Sequence, residues 1–140
     1  MKTFNSLMTV FRKERLIYFF AVILTMAAGL ASRHFGELLP DFVHEHFGDA
    51  LWAAMIYFGV RMICIHRSRE WAMMVSLIFS WAVECSQLIQ TPWLNEVRST
   101  VLGALILGRG FLVMDLLRYV AGILFVYGMD RYFLRNKKAR

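Results

Sequence analysis

Seventeen consecutive residues, LIYFFAVILTMAAGLAS (16 to 32), carry no formal charge and lie between Arg12, Lys13, Glu14 and Arg15 on one side and Arg33 on the other. A helix rising 1.5 Å per residue crosses the hydrocarbon of a bilayer in about 20 residues, with 17 near the lower bound. No small-x-small cleavage pattern follows this run, and further apolar runs succeed it, so it reads as a retained membrane span and not as a secretory signal. The chain is 59% hydrophobic and has 2 prolines in 140 residues, which is too apolar for a soluble domain of this size.

Three further runs complete the pattern. They are FGDALWAAMIYFGVRMICI (47 to 65), WAMMVSLIFSWAVECSQLIQ (71 to 90) and DLLRYVAGILFVYGMDRYF (115 to 133). In the second, Asp49 and Arg61 fall near opposite ends, within snorkelling reach of an interface. Between the third and fourth lies VLGALILGRGFLVM (101 to 114), interrupted by Gly108, Arg109 and Gly110 and too short to span. Its part from 101 to 112 is expected to be a short interfacial or re-entrant helix at the outer surface, the alternative being an additional broken span. The expected fold is therefore an all-α integral membrane protein, a single domain over residues 1–140 with four transmembrane helices.

Charge sets the orientation. Lys2, Arg12, Lys13 and Arg15 precede the first run, Arg61, Arg67 and Arg69 fall around the second loop, and Arg131, Arg135, Lys137, Lys138 and Arg140 follow the last run. Arg33, Arg98, Arg109 and Arg118 remain for the other side, so both termini are expected in the cytoplasm of a bacterium, with the chain in its inner membrane. The net charge of +6 then fits anionic lipid at the inner leaflet, and nucleic acid is not an expected partner. Phe4, Leu7, Met8 and Phe11 recur at helical spacing ahead of the first run, either as an amphipathic helix on that leaflet or as a plain extension of the first span.

The polar residues inside the apolar runs carry the functional signal. Ser76, Ser80, Glu84 and Gln87 repeat at four, four and three residues and form one stripe on the third span. Asp115, Arg118, Tyr119 and Gly122 form a polar or small face on the fourth, and the two faces are expected to meet. A carboxylate inside hydrocarbon costs roughly 2.5–3.5 kcal/mol on insertion scales, so Glu84 marks either a site or a structural pair. Arg98 is the expected bidentate partner of Glu84, Asp115 or both. Asp49 belongs to the same end of the bundle. Cys64 and Cys85 fall at different depths and are not expected to pair. His34, His44 and His46, with Asp41 and Glu45, are expected in a solvated loop and not in a metal site, and nothing calls for a cofactor.

The stretches ECSQ (84 to 87), Pro92-Trp93, Arg98, LGALILGRGF (102 to 111) and the D-x3-Y-x2-G pattern from Asp115 to Gly122 resemble an uncharacterised bacterial membrane family, domain of unknown function 2809. GDALWA (48 to 53) fits the same family, and the resemblance runs from about the first span through the fourth. The chain also looks like a distant relative of the VanZ-like family, whose pattern is Glu-x2-Gln, an Arg in a loop, then Asp-x3-Asn-x2-Gly. That pattern falls on Glu84, Gln87, Arg98, Asp115 and Gly122, with Tyr119 standing where the pattern has Asn and with a longer gap between Arg98 and Asp115. The resemblance implies an association with cell-envelope lipids and glycopeptide tolerance.

The resulting expectation is an outward-facing polar pocket that binds an anionic envelope lipid or its headgroup. Arg98 supplies the charge, Glu84 and Asp115 orient the ligand or shuttle a proton, and Gln87 hydrogen-bonds it, with Tyr119 and Asp49 in the same set. Other readings stay open: polar glue between helices, a small transporter or flippase, an accessory scaffold of a membrane complex, and assembly as a homo-oligomer. An enzyme is disfavoured, because Ser86, beside Glu84 in sequence, lies about 160° around the helix from it and no histidine falls in either polar span.

Overall fold

The computed structural model describes the backbone of residues 2–108 and 110–137 and the side chains of 9–104, 106–108 and 110–133. The expectations placed on Arg109, on Lys138 and Arg140, and on the side chains of Phe4, Leu7 and Met8 lie outside the described residues. The described chain is all helical: α1 Lys2–His34, a 3₁₀ turn Gly36–Leu38, α2 Asp41–Ile63, α3 Arg69–Ser86, α4 Pro92–Ser99, α5 Val101–Leu107 and α6 Val113–Lys137.

Local chemistry explains most of the boundaries. Ser68 caps α3, its Oγ accepting the Trp71 N–H at 3.1 Å, and Thr100 caps α5 by accepting the Gly103 N–H at 3.0 Å. Pro92 opens α4 at the position where a helix has no use for an N–H. Gly108 closes α5 at φ +67°, ψ −175°, a region that only glycine occupies without strain. α1 runs without a break from Lys2, so the residues ahead of the first apolar run extend that helix.

Four long helices, α1, α2, α3 and α6, alternate in direction, and α2 is central, packing on each of the other three. Small residues let the backbones approach. Ala53 and Ala54 of α2, Ala72, Ser76 and Ser80 of α3, and Gly122 of α6 replace bulk with contact. A Cβ on Gly122 would lie 2.3 Å from the Ala50 carbonyl oxygen. Gly122 thus serves the approach to α2, and the expected meeting of the α3 stripe with the α6 face is carried by Tyr119. Trp52, Tyr57, Tyr119, Ile123 and Val126 fill the space between the helices.

α1 lies at the edge, against α2. Its outer face exposes Leu16, Phe20 and Leu24. Among the described residues, it is the one helix long and apolar enough to cross a membrane by length and composition, over Thr9–His34. The charges of α1 flank its apolar run, whereas α2, α3 and α6 carry charges inside theirs, at Asp49 and Arg61, at Glu84, and at Arg118 and Asp130.

Several boundaries differ from those read in the sequence. α2 starts at Asp41, which puts His44 and His46 on a helix and not in a loop. α3 stops at Ser86, four residues short of the expected end, and the chain then turns into α4, a helix that hydropathy did not reveal. Within 101 to 112 the helix ends at Leu107.

Candidate functional site

Two buried polar clusters occupy opposite ends of the bundle. The first surrounds Glu84 at the last turn of α3. The stripe of Ser76, Ser80, Glu84 and Gln87 faces inward, and its four members are 0–4% exposed. Glu84 Oε2 accepts the Tyr119 hydroxyl at 2.9 Å and the Gln87 amide N–H at 3.0 Å, while Oε1 accepts the backbone N–H of Leu112 at 2.7 Å. Glu84 thereby ties α3 to α6 and to the connection that follows α5, using uncharged donors.

The charges lie in a chain beside it. Arg118 pairs with Asp115 one turn away on α6 and with Asp49 of α2 at 3.2 Å, and Asp49 pairs in turn with Arg33 of α1 at 3.0 Å. His46 Nδ1 accepts from Arg118 Nε at 3.0 Å. Asp115 is buried, whereas the Arg33 side chain is 45% exposed.

A cavity of about 510 Å³ opens among these groups, lined by Arg33, Asp49, Trp52, Gln87, Asp115 and Tyr119, with α5 and Gly108 on one side. Gln87 is 4% exposed, and its Oε1 has no hydrogen-bond partner. The amide orientation follows from its neighbours, because a flipped amide would set a second acceptor against Glu84 Oε2. A buried acceptor without a partner therefore belongs to a residue of the cavity wall. Gly108 makes room for it, since a Cβ there would come within 2.5 Å of the Gln87 amide nitrogen.

Of the six residues read from the sequence as site residues, the structure gathers Asp49, Glu84, Gln87, Asp115 and Tyr119 around this cavity. Arg98 is the exception. Its guanidinium donates to the carbonyls of Ser86 at 2.6 Å and Ile89 at 2.9 Å and to Asn95 at 3.3 Å, and it forms no ion pair with Glu84 or Asp115. The reason is that α3 ends early. Its last carbonyls lack helical partners, α4 returns Arg98 beside them, and a cation at a helix C-terminus is favoured there. Arg33 is the cation that lines the cavity instead, and Arg118 pairs with the two carboxylates of its wall. Arg118 was signalled by its spacing from Asp115, but Arg33 looked like a flank of the first span.

The second cluster surrounds Asp130 of α6. Its carboxylate accepts the hydroxyls of Tyr18 at 2.8 Å and Tyr57 at 2.6 Å, and lies 3.4 Å from Arg61 Nε and 3.5 Å from Arg69 Nε. The Asp130 side chain is 1% exposed and that of Arg61 5%. Arg61 does not snorkel to an interface, as the sequence suggested. It is retained inside, donating to Tyr18 and to the Arg67 carbonyl at 2.7 Å. The signal for this cluster was an acidic residue late in an apolar run, which marks a site or a pair by default.

Both cysteines are free, and among the described residues no group of three His, Cys, Asp or Glu side chains could hold a metal ion.

Residues 38–123 match the family of proteins of unknown function DUF2809. The chain belongs to this family. No solved structure matches it. The matched segment of this DUF2809 member runs from the 3₁₀ turn to the middle of α6, so α1 lies outside it, a shorter reach than the sequence reading gave. Every polar side chain named around Glu84 except Arg33 falls within the match, and both Tyr18 and Asp130 fall outside it.

Proposed function

We propose that this DUF2809 protein is a multi-pass protein of the bacterial inner membrane that recognises the headgroup of an envelope lipid in the Glu84 cavity. Four crossings by α1, α2, α3 and α6, with cytoplasmic termini, are supported by where the charges go. Those inside α2 and α6 pair with one another within the bundle, Asp49 and Asp115 with Arg118 and Asp130 with Arg61, and Glu84 of α3 is met there by uncharged donors. Apolar residues such as Phe20, Leu24, Ile63, Ile78 and Phe125 face outward, as a lipid-facing surface requires. The Lys and Arg bias then sets the Asp130 end toward the cytoplasm and the cavity toward the outside.

The observation that carries the ligand reading is the unpartnered, buried Oε1 of Gln87, a residue that lines the cavity. A buried acceptor without a donor is costly, and a ligand N–H or O–H relieves it. Arg33 supplies the complementary group, because its half-exposed pair with Asp49 is worth only about 0–1 kcal/mol and yields readily to a phosphate. The ligand is therefore a phosphate ester that also carries an amine or hydroxyl donor. The distant VanZ-like pattern, with its link to envelope lipids, points the same way, although Arg98 has no part in the cavity.

The test is equilibrium binding of phospholipids to the purified protein in dodecyl maltoside. Phosphatidylethanolamine and phosphatidylglycerol, which carry donors, are expected to bind at least about tenfold more tightly than phosphatidylcholine, which has none, a difference of about 1.4 kcal/mol. Gln87→Met is expected to erase the preference. Equal binding of all three lipids by the wild-type protein would overturn the reading.

A further inference from the structure

A second opening adjoins the polar cavity. It has a volume of about 290 Å³ and is walled by Met26, Gly29 and Leu30 of α1, Met55 of α2, and Leu102 and Ile106 of α5. The two spaces share Leu30, Arg33, Trp52 and Ile106, so they lie side by side along these four residues. Their chemistry differs sharply. The polar space presents Asp49, Gln87 and Asp115, whereas the second is apolar along its length except at Arg33 and Thr25.

α5 creates the opening. It packs on α3 and α4, and no Cα of α5 comes within 8 Å of one in α1, which leaves room between the two helices. Leu102, Leu30 and Met26 stand at its edges, each more than a third exposed. Arg33 sits at the junction, where a phosphate would lie between a headgroup in the polar cavity and a chain in the apolar one. At about 30 Å³ per water-sized group, the apolar space takes roughly ten methylenes, enough for part of one acyl chain and too little for two.

We infer that the α1–α5 groove holds an acyl chain of the same lipid whose headgroup occupies the Glu84 cavity, and that the lipid enters sideways from the bilayer between these two helices. This rests on the proposed headgroup site, and it goes further in making the ligand an intact membrane lipid and not a water-soluble phosphate ester. α5 is then a fixed wall of the chain site. The shared Trp52 and Ile106 set the depth at which headgroup gives way to chain.

Leu102→Trp and Met26→Trp fill the groove from opposite walls, at exposed positions that do not line the polar cavity. Binding is measured for palmitoyl-oleoyl phosphatidylethanolamine by native mass spectrometry, and for chain-free glycerophosphoethanolamine by saturation-transfer NMR. Both variants are expected to weaken the intact lipid at least tenfold while leaving glycerophosphoethanolamine unchanged, and Gln87→Met is expected to weaken both ligands. If the tryptophan variants bind the intact lipid as the wild type does while Gln87→Met weakens it, the chain site is wrong and the headgroup site stands. If they weaken both ligands equally, the substitutions block a common mouth and the groove holds no chain. If Gln87→Met alters neither ligand, the headgroup site itself fails.

Discussion

Glu84 and Asp130 are both buried carboxylates that accept tyrosine hydroxyls, yet the bundle uses them in opposite ways. Asp130 is met by two tyrosines and two arginines, and its side chain is sealed from outside. Glu84 is met by a tyrosine, an amide and a backbone N–H, and the cations stand apart on Asp49 and Asp115. Where cations reach the carboxylate directly the helices close around it. Where uncharged donors satisfy it, the ion pairs move toward the rim and leave a space with one free acceptor. The contrast separates glue from site.

The most severe way to break the contrast is at the closed end. Asp130→Ala leaves Arg61 buried without its partner, and removing one member of a buried pair costs about 3–5 kcal/mol. Thermal unfolding in detergent is expected to show this loss, with the lipid preference intact in whatever fraction stays folded. A variant as stable as the wild type would show that Tyr18 and the Arg67 carbonyl alone satisfy Arg61.

At the open end, Gly108→Ala combines a backbone conformation that costs about 1–3 kcal/mol for a residue with a Cβ and a collision with the Gln87 amide. Stability is expected to fall by that amount, and lipid binding to fall with it, because Gln87 must shift. Restored binding in the double variant with Gln87→Ala would point away from Gln87 as the free acceptor.

A matched pair of tyrosine deletions sharpens the comparison. Tyr119→Phe keeps the ring against Trp52, 5.2 Å between centroids, but removes one of two donors to Glu84 Oε2, at roughly 1–2 kcal/mol. Tyr57→Phe removes one donor from Asp130, which keeps Tyr18 and both arginines, so about 1 kcal/mol or less is expected. The order of the two losses, read from chemical denaturation, is the test, and a larger loss for Tyr57→Phe would contradict it.

How much of this was legible in the sequence depended on distance along the chain. The stripe from Ser76 to Gln87 and the Asp115 and Tyr119 face were visible because one helix fixes their spacing, and both turned inward. Gly122 announced a close approach without saying to which helix. The Asp130 cluster joins residues 112 and 73 positions apart, and no local pattern ties Tyr18 or Tyr57 to it. Arg98 was misplaced for a different reason. Its partner was sought among carboxylates, but the demand came from backbone carbonyls, and that demand arises only where α3 stops. Pro92 and the C-terminal Arg98 were the available signals for α4, and hydropathy masked them.

The smallest effect lies at the exposed rim of the closed end, and it tests whether burial is what gives that end its strength. Glu70, in the first turn of α3, has its carboxyl held below its ordinary value near 4.5, first by its own backbone N–H and then by the Tyr127 hydroxyl at 3.1 Å. A depressed carboxylate contributes stability above its unfolded pKa and loses it as pH falls through the folded value. Wild type and Glu70→Gln are therefore expected to differ most at neutral pH and to converge in acid below about pH 4. The pair with Arg131 spans 3.8 Å between side chains that are each more than half exposed, so the difference at neutral pH should be the least of the four. Unfolding curves at pH 7 and in acid measure it directly. A loss at Glu70 comparable to that at Asp130 would mean that charge pairing alone, and not its burial, holds this end of the bundle.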